Sequence, residues 1–125
     1  MAILRNIQKA INGPHWTQVT VGHNRTIENM GGNLYNCRLH GHIIAKVQCG
    51  ASDKATVTLD TCGYRGPTTR DAMGEFLSAF GIQGNVSFAK GGFRYWSHSE
   101  GLDIDSGGHE TIAFECTRDL KEQVT

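Results

Sequence analysis

The stretch from Leu34 to Cys49 constrains the fold more than any other part of this sequence. Tyr35, Cys37, Leu39, Gly41, Ile43, Ala45, Val47 and Cys49 hold its odd positions. The even positions are mostly polar (Asn36, Arg38, His40, His42, Lys46 and Gln48), with Leu34 and Ile44 as exceptions. Alternation of period two with one apolar face is the pattern of an antiparallel sheet that is wet on one side. A single strand of that length far exceeds the usual ~5–6 residues. A hairpin turning through His40-Gly41-His42 solves the length problem, because glycine supplies the positive φ that a short loop needs. A three-residue loop also returns Ile43, Ala45 and Val47 to the face of Cys37 and Leu39. Parity therefore leaves strand and hairpin open, and length favours the hairpin.

The rest of the chain fits the same kind of sheet. Residues 54–61 alternate, with Ala55, Val57 and Leu59 inward. Val86 to Ala89 and Phe93 to Trp96, joined at Lys90-Gly91-Gly92, read as a second hairpin. Phe93 and Tyr95 are expected inside, with Arg94 and Trp96 outside. Thr111 to Thr117 alternates again. Trp16, Val19 and Val21 suggest a strand before a turn at Gly22-His23-Asn24-Arg25, and 97–109 reads as a polar, glycine-rich loop.

Two segments read as helix. Ile3, Leu4, Ile7 and Ile11 recur at helical spacing over 2–12, before Gly13-Pro14. Residues 68–80 carry the stripe Ala72, Met73, Phe76, Leu77 and Phe80, ended by Gly81. Thr68 is placed to cap that helix, with Asp71 three residues on in the manner of a capping box. Gly74 inside it costs about 1 kcal/mol relative to alanine, and close packing on the sheet is the expected reason for it. Hairpins around one central helix, without βαβ alternation, make an α+β domain. The expectation is a single domain over 1–125, with an N-terminal helix at 2–12 and a charged tail, 118–125, that frays.

Composition narrows the partners. Twelve basic and twelve acidic residues cancel, so there is no overall field to hold a polyanion. The N-terminus lacks the apolar run of a signal peptide, and no stretch approaches the ~20 apolar residues of a membrane span. A cytoplasmic setting follows as an expectation, with Cys37, Cys49, Cys62 and Cys116 as thiols. No membrane partner and no cofactor are expected. A homo-oligomer is compatible with an open sheet.

Three stretches invite a site. Arg65, Thr68, Thr69 and Arg70 surround a helix N-terminus, where unpaired amides and the helix dipole favour anions such as phosphate. Simple capping with solvated arginines is the plainer reading. Lys90, Arg94 and Trp96 interleave bases with an aromatic ring, as a nucleobase platform does. An exposed Trp96 suits a protein interface equally well. His40 and His42 sit at the expected hairpin tip and are contact candidates there. Cys37, His40, His42 and Cys49 lack the paired spacing of a zinc site, so no metal is expected. No hydrolase, zinc-protease or dinucleotide motif occurs, and Asp60, Asp103, Asp105, His98 and His109 are not visibly gathered into an acid–base set.

Read in order, Leu39-His-Gly-His-Ile-Ile-Ala45, Val57-Thr-Leu-Asp-Thr-Cys-Gly-Tyr64 and Pro67-Thr-Thr-Arg-Asp71 form a pattern. Phe93-Arg-Tyr-Trp96 and Ser99-Glu-Gly-Leu-Asp103 continue it. This ordered set resembles a group of small bacteriophage-encoded proteins, over about residues 15–105. The chain departs from the group's pattern at His42, where asparagine is usual, and at Ala72-Met73, where the helix is often more basic. The resemblance implies a phage origin and no mechanism, since the group has no assigned activity. The expected function is a non-catalytic accessory protein that binds a host or phage protein. The alternative is a nucleic acid or nucleotide held through 65–71 and 90–96.

Overall fold

The structure is a computed structural model, and it describes residues 8–9, 11–13, 18–22, 25–50, 53–63, 66–82, 84–89, 92–97, 100–107 and 110–118. Six strands form one antiparallel sheet in the order β1-β2-β3-β4-β5-β9. They are β1 (Gln18–Gly22), β2 (Arg25–Gly31), β3 (Leu34–Leu39), β4 (His42–Cys49), β5 (Lys54–Asp60) and β9 (Thr111–Thr117). A helix, α1 (Pro67–Ala79), follows β5. Three more strands then form a separate antiparallel sheet in the order β6-β7-β8: β6 (Asn85–Ala89), β7 (Gly92–Ser97) and β8 (Leu102–Asp105). The α+β expectation holds, with two sheets where one was expected.

Alternation fixes the core. Ile27, Cys37, Ala45, Leu59 and Ile112 lie side by side across five strands. Asn29, Tyr35, Val47, Val57 and Phe114 form the next row on the same buried face. The opposite face carries Glu28, Asn36, Lys46, Thr58 and Ala113 in one row. There Glu28 accepts hydrogen bonds from Arg38 at 2.9 Å and Asn36 at 3.4 Å. Helix α1 buries Ala72, Met73, Phe76 and Leu77. Phe80, just past its end, packs on Phe76 and Tyr35, each with 5.1 Å between ring centroids. The small sheet closes the core from its own inner face, where Tyr95 stacks on Phe114 with centroids 4.3 Å apart.

Residues 34–49 are a hairpin, but the turn has two residues instead of three. His40 and Gly41 both have positive φ, 53° and 82°, as a type I′ turn requires. Leu39 therefore faces His42, and an unbroken ladder would send Ala45 and Val47 outward. A register shift corrects this: Cys37 faces Ala45 while Arg38 faces Ile43, so Ile44 is the extra residue. Ile44 is buried, and Ile43, expected inward, is only half-buried opposite Arg38.

Helix α1 starts differently from the expectation at Thr68. Gly66 is the N-cap, without a side-chain bond, and Pro67 takes the first helical position, where its missing N–H costs nothing. Thr68 is exposed and Thr69 buried. The C-terminus ends as expected at Gly81 (φ 75°). Gly81 N–H donates to Ser78 and Ile82 N–H to Leu77, at 3.0 and 3.1 Å, which completes a Schellman motif.

Gly74 does not serve close packing. A Cβ there meets nothing within 4 Å. Gly74→Ala is therefore expected to raise stability by about 1 kcal/mol, by removing glycine's entropic cost in a helix. Urea unfolding checks this; a lower midpoint would mean that Gly74 is needed for a contact after all.

Strand β8 lies inside the segment expected to be loop. Most of the helix expected over 2–12 falls outside the described residues, although Ile11 packs against the core. The tail was expected to fray from Arg118, yet that residue is anchored. Its N–H donates to Asp53 O at 2.6 Å, and its guanidinium donates to Phe80 O at 2.8 Å. Residues 119–125 lie outside the described residues. No described helix is long and apolar enough to cross a membrane.

Candidate functional site

Helix α1 and strand β6 leave a groove of about 630 Å³ between them. Arg70, Asp71, Gly74, Glu75 and Ser78 line one wall, at the i, i+4 spacing of a single helix face. Gly84, Asn85 and Val86 line the other. The turn from helix to strand is short because Gly81 reverses the chain directly, and Gly84 then lets β6 pass Tyr95. A Cβ on Gly84 would lie 2.2 Å from the Tyr95 hydroxyl oxygen. The missing side chain of Gly74 keeps the helical wall low.

The ionic groups along this groove are already engaged. Glu75 pairs with Arg25 at 2.9 Å, and the Arg25 side chain is only 10% exposed. Arg70 faces Asp71 at 3.5 Å, both exposed. The groove is thus mixed in charge and close to neutral, with more apolar than polar surface along its walls. It offers hydrogen-bonding surface, and its carboxylates and guanidiniums are tied to one another.

On the second wall, Asn85 is the cross-strand neighbour of Trp96. The expectation for this strand holds for Phe93, Tyr95 and Arg94. Trp96 is half-buried rather than exposed, and its indole N–H donates to Ser87 Oγ at 3.3 Å. Arg94 lies over the Trp96 ring at 6.0 Å and donates to both Asp103 oxygens, at 2.9 and 3.4 Å. Asp105 sits directly across from Arg94. Among the described residues, acids therefore outnumber bases on this face of the small sheet.

The structure thus brings Arg70 and Trp96 to one continuous surface, joined through Asn85. It does not gather the remaining candidates there. Thr68 is exposed on the first turn of α1, Thr69 is buried, and Arg65 and Lys90 lie outside the described residues. His40 and His42 sit at the β3–β4 turn. Cys37 is on the inner face and Cys49 is at the far end of β4. No group of three or more His, Cys, Asp and Glu able to hold a metal occurs among the described residues. Sequence reasoning missed Glu75, Ser78, Gly84 and Asn85. The available signal was Gly74, a glycine inside a helix, for which close packing was the expected reason.

The thiols are chemically quiet. Burial pushes Cys37 and Cys116 up to about 12, and for Cys116 the Glu100 carboxylate adds to the effect. Burial and then Asp60 raise Cys62. A folded pKa above the unfolded value contributes stability that is full below about pH 9 and lost as pH rises towards 12. Unfolding free energy is therefore expected to fall by on the order of 1 kcal/mol per pH unit for each of Cys37 and Cys116 across that window. Denaturant titrations in reductant from neutral pH upward check this, and stability that stays flat to pH 11 would contradict it.

No family model matches this sequence, and no curated protein or solved structure matches it.

Proposed function

We propose that this chain is a non-catalytic bacteriophage accessory protein that acts in the host cytoplasm by binding another protein, in the first place one of the host. One observation carries the reading: the groove between α1 and β6 is walled by Asn85, the cross-strand neighbour of Trp96, on a surface where Arg70 and Arg94 are paired with acids. A polyanion needs unneutralised bases, because its affinity comes from displaced counterions. Protein interfaces are enriched in aromatic anchors ringed by polar groups. Trp96, with Asn85 and the Arg94–Asp103 pair around it, supplies that combination beside the groove.

The alternative, nucleic-acid or nucleotide binding through 65–71 and 90–96, rests on Arg65, Arg70, Lys90, Arg94 and Trp96. Titration of the chain into labelled single-stranded and duplex nucleic acid at low salt separates the two. Flat curves are expected. Salt-sensitive binding that is lost with Arg70→Ala or Arg94→Ala would replace the protein-binding reading with the alternative.

A further inference from the structure

Strand β9 is an edge of the six-stranded sheet, and its hydrogen bonds show which residues turn their backbone outward. Thr61 N–H donates to Glu110 O at one end, and Arg118 N–H donates to Asp53 O at the other. Opposed residues in an antiparallel ladder alternate between bonded and non-bonded pairs. With the register Leu59–Ile112, Val57–Phe114 and Ala55–Cys116, the even residues spend their backbone groups on β5. Thr111, Ala113, Glu115 and Thr117 direct theirs to the free edge. Thr117 N–H is taken by Glu100 Oε1 at 2.7 Å. Among the described residues, nothing takes the other three.

The other edges are poorer templates. Strand β1 has five residues and a register shift between Thr20 and Gly22. Strand β8 has four residues and carries exposed Asp103 and Asp105, charges of the kind that blunt an edge. Helix α1 packs against β6, whereas on β9 the neighbouring segment 100–102 reaches the end formed by residues 115–117. Strand β9 has seven residues in unbroken register, with Glu115 its one charge and no proline.

We infer that β9 is a strand-pairing edge whose occupant is β9 of a second copy of this chain, antiparallel about a two-fold axis at Ala113. The sequence around that point is self-complementary. Ala113 meets Ala113, which leaves room on the axis. Thr111 meets Glu115 of the second copy, so neither glutamate faces its own kind. On the inner face Ile112 meets Phe114, an apolar pair of the sort that stabilises a sheet. Every outward-turned residue meets another outward-turned residue, so each of these pairs exchanges both backbone hydrogen bonds. Glu100, capping Thr117, ends the ladder there. An unrelated peptide would need none of this symmetry.

Sedimentation equilibrium of the full chain in reductant, from low to high micromolar concentration, tests the pairing. The expected mass is twice the 13.7 kDa of one chain, falling on dilution. Ala113→Lys sets like charges on the axis at an exposed site and is expected to stay at single mass, with the unfolding midpoint that the wild-type chain shows when diluted to single mass. Under mild oxidation, with the unmutated chain as control, Ala113→Cys is expected to form a reducible covalent dimer. Directly opposed Cα atoms at about 5.5 Å suit a disulfide. Thr111→Cys should cross-link when mixed with Glu115→Cys and not by itself. A wild-type chain that stays at single mass overturns the inference, as does an Ala113→Lys chain that dimerises normally. Self-linking of Thr111→Cys overturns the register. This edge is distinct from the groove, so either result leaves the protein-binding reading standing or falling by its own test.

Discussion

Gly84→Ala is expected to destabilise the fold by about 3 kcal/mol, the upper end for overpacking a filled site, and to lower the unfolding midpoint by on the order of 10 °C. The new Cβ would lie 2.2 Å from the Tyr95 hydroxyl oxygen, 2.3 Å from Cζ and 2.7 Å from Cε1. The tyrosine cannot swing aside cheaply. It is fully buried, and its ring stacks on Phe114 at an interplanar angle of 21°, the contact that joins the small sheet to β9. Relief therefore requires either strand β6 or the Tyr95–Phe114 stack to move. Thermal unfolding followed by circular dichroism reads the effect, and a midpoint within a degree or two of wild type would show that the chain at Gly84 yields easily. Tyr95→Phe is the informative companion. The hydroxyl has no hydrogen-bond partner among the described residues, and a buried unpaired hydroxyl is costly, so its removal is expected to be neutral or mildly stabilising.

Glu75→Ala is the second large effect, a loss of about 2 kcal/mol. Arg25 rises from β2 into the space under α1 with its side chain 10% exposed, and Glu75 is its charge partner at 2.9 Å. Deleting one member of a buried pair leaves the other charge desolvated without compensation. Glu75 is itself 39% exposed, which lets water reach the site and holds the cost below the full buried-pair penalty. Glu75→Gln keeps an oxygen for the Arg25 guanidinium and is expected to lose about half as much. Equal losses for Gln and Ala would mean that charge is what matters. Losses near zero for both would mean that Arg25 finds another partner.

Much of the fold was written in short-range patterns. Period-two alternation placed β3, β4, β5 and β9, and the apolar stripe with its terminal glycine placed α1 to within a residue at each end. What escaped were features set by geometry beyond a few residues. The bulge at Ile44 appears in no local preference: Ile43 and Ile44 are equally apolar, and only the two-residue turn at His40-Gly41 forces one of them out of register. Strand β2 was hidden because its inward positions include Arg25 and Asn29, whose burial depends on distant partners such as Glu75 and the Gly13 carbonyl. Strand β8 looked like loop because Asp103 and Asp105 face outward from a four-residue strand.

The candidate surface was only half visible for the same reason. Arg70, Arg94 and Trp96 stood out as residue types suited to recognition. Their neutralisation by Asp71 and Asp103 is a matter of placement, as is the meeting of α1 and β6 that joins Arg70 to Trp96 through Asn85. Thr68 reads as the cap in the sequence, with a phosphate site as the lesser alternative, whereas Gly66 and Pro67 start the helix and Thr69 turns into the core.

The most direct test of the central claim is capture from host-cell lysate with the immobilised chain, run beside two variants on the groove walls, Ser78→Arg and Asn85→Arg. Both residues are exposed, so the variants should fold like wild type, which circular dichroism verifies. The expected result is a protein retained by the wild-type chain, depleted several-fold by either variant, and unaffected by nuclease treatment of the lysate. A retained species that both variants hold equally well, or one released by nuclease, would contradict a protein-binding role for this groove.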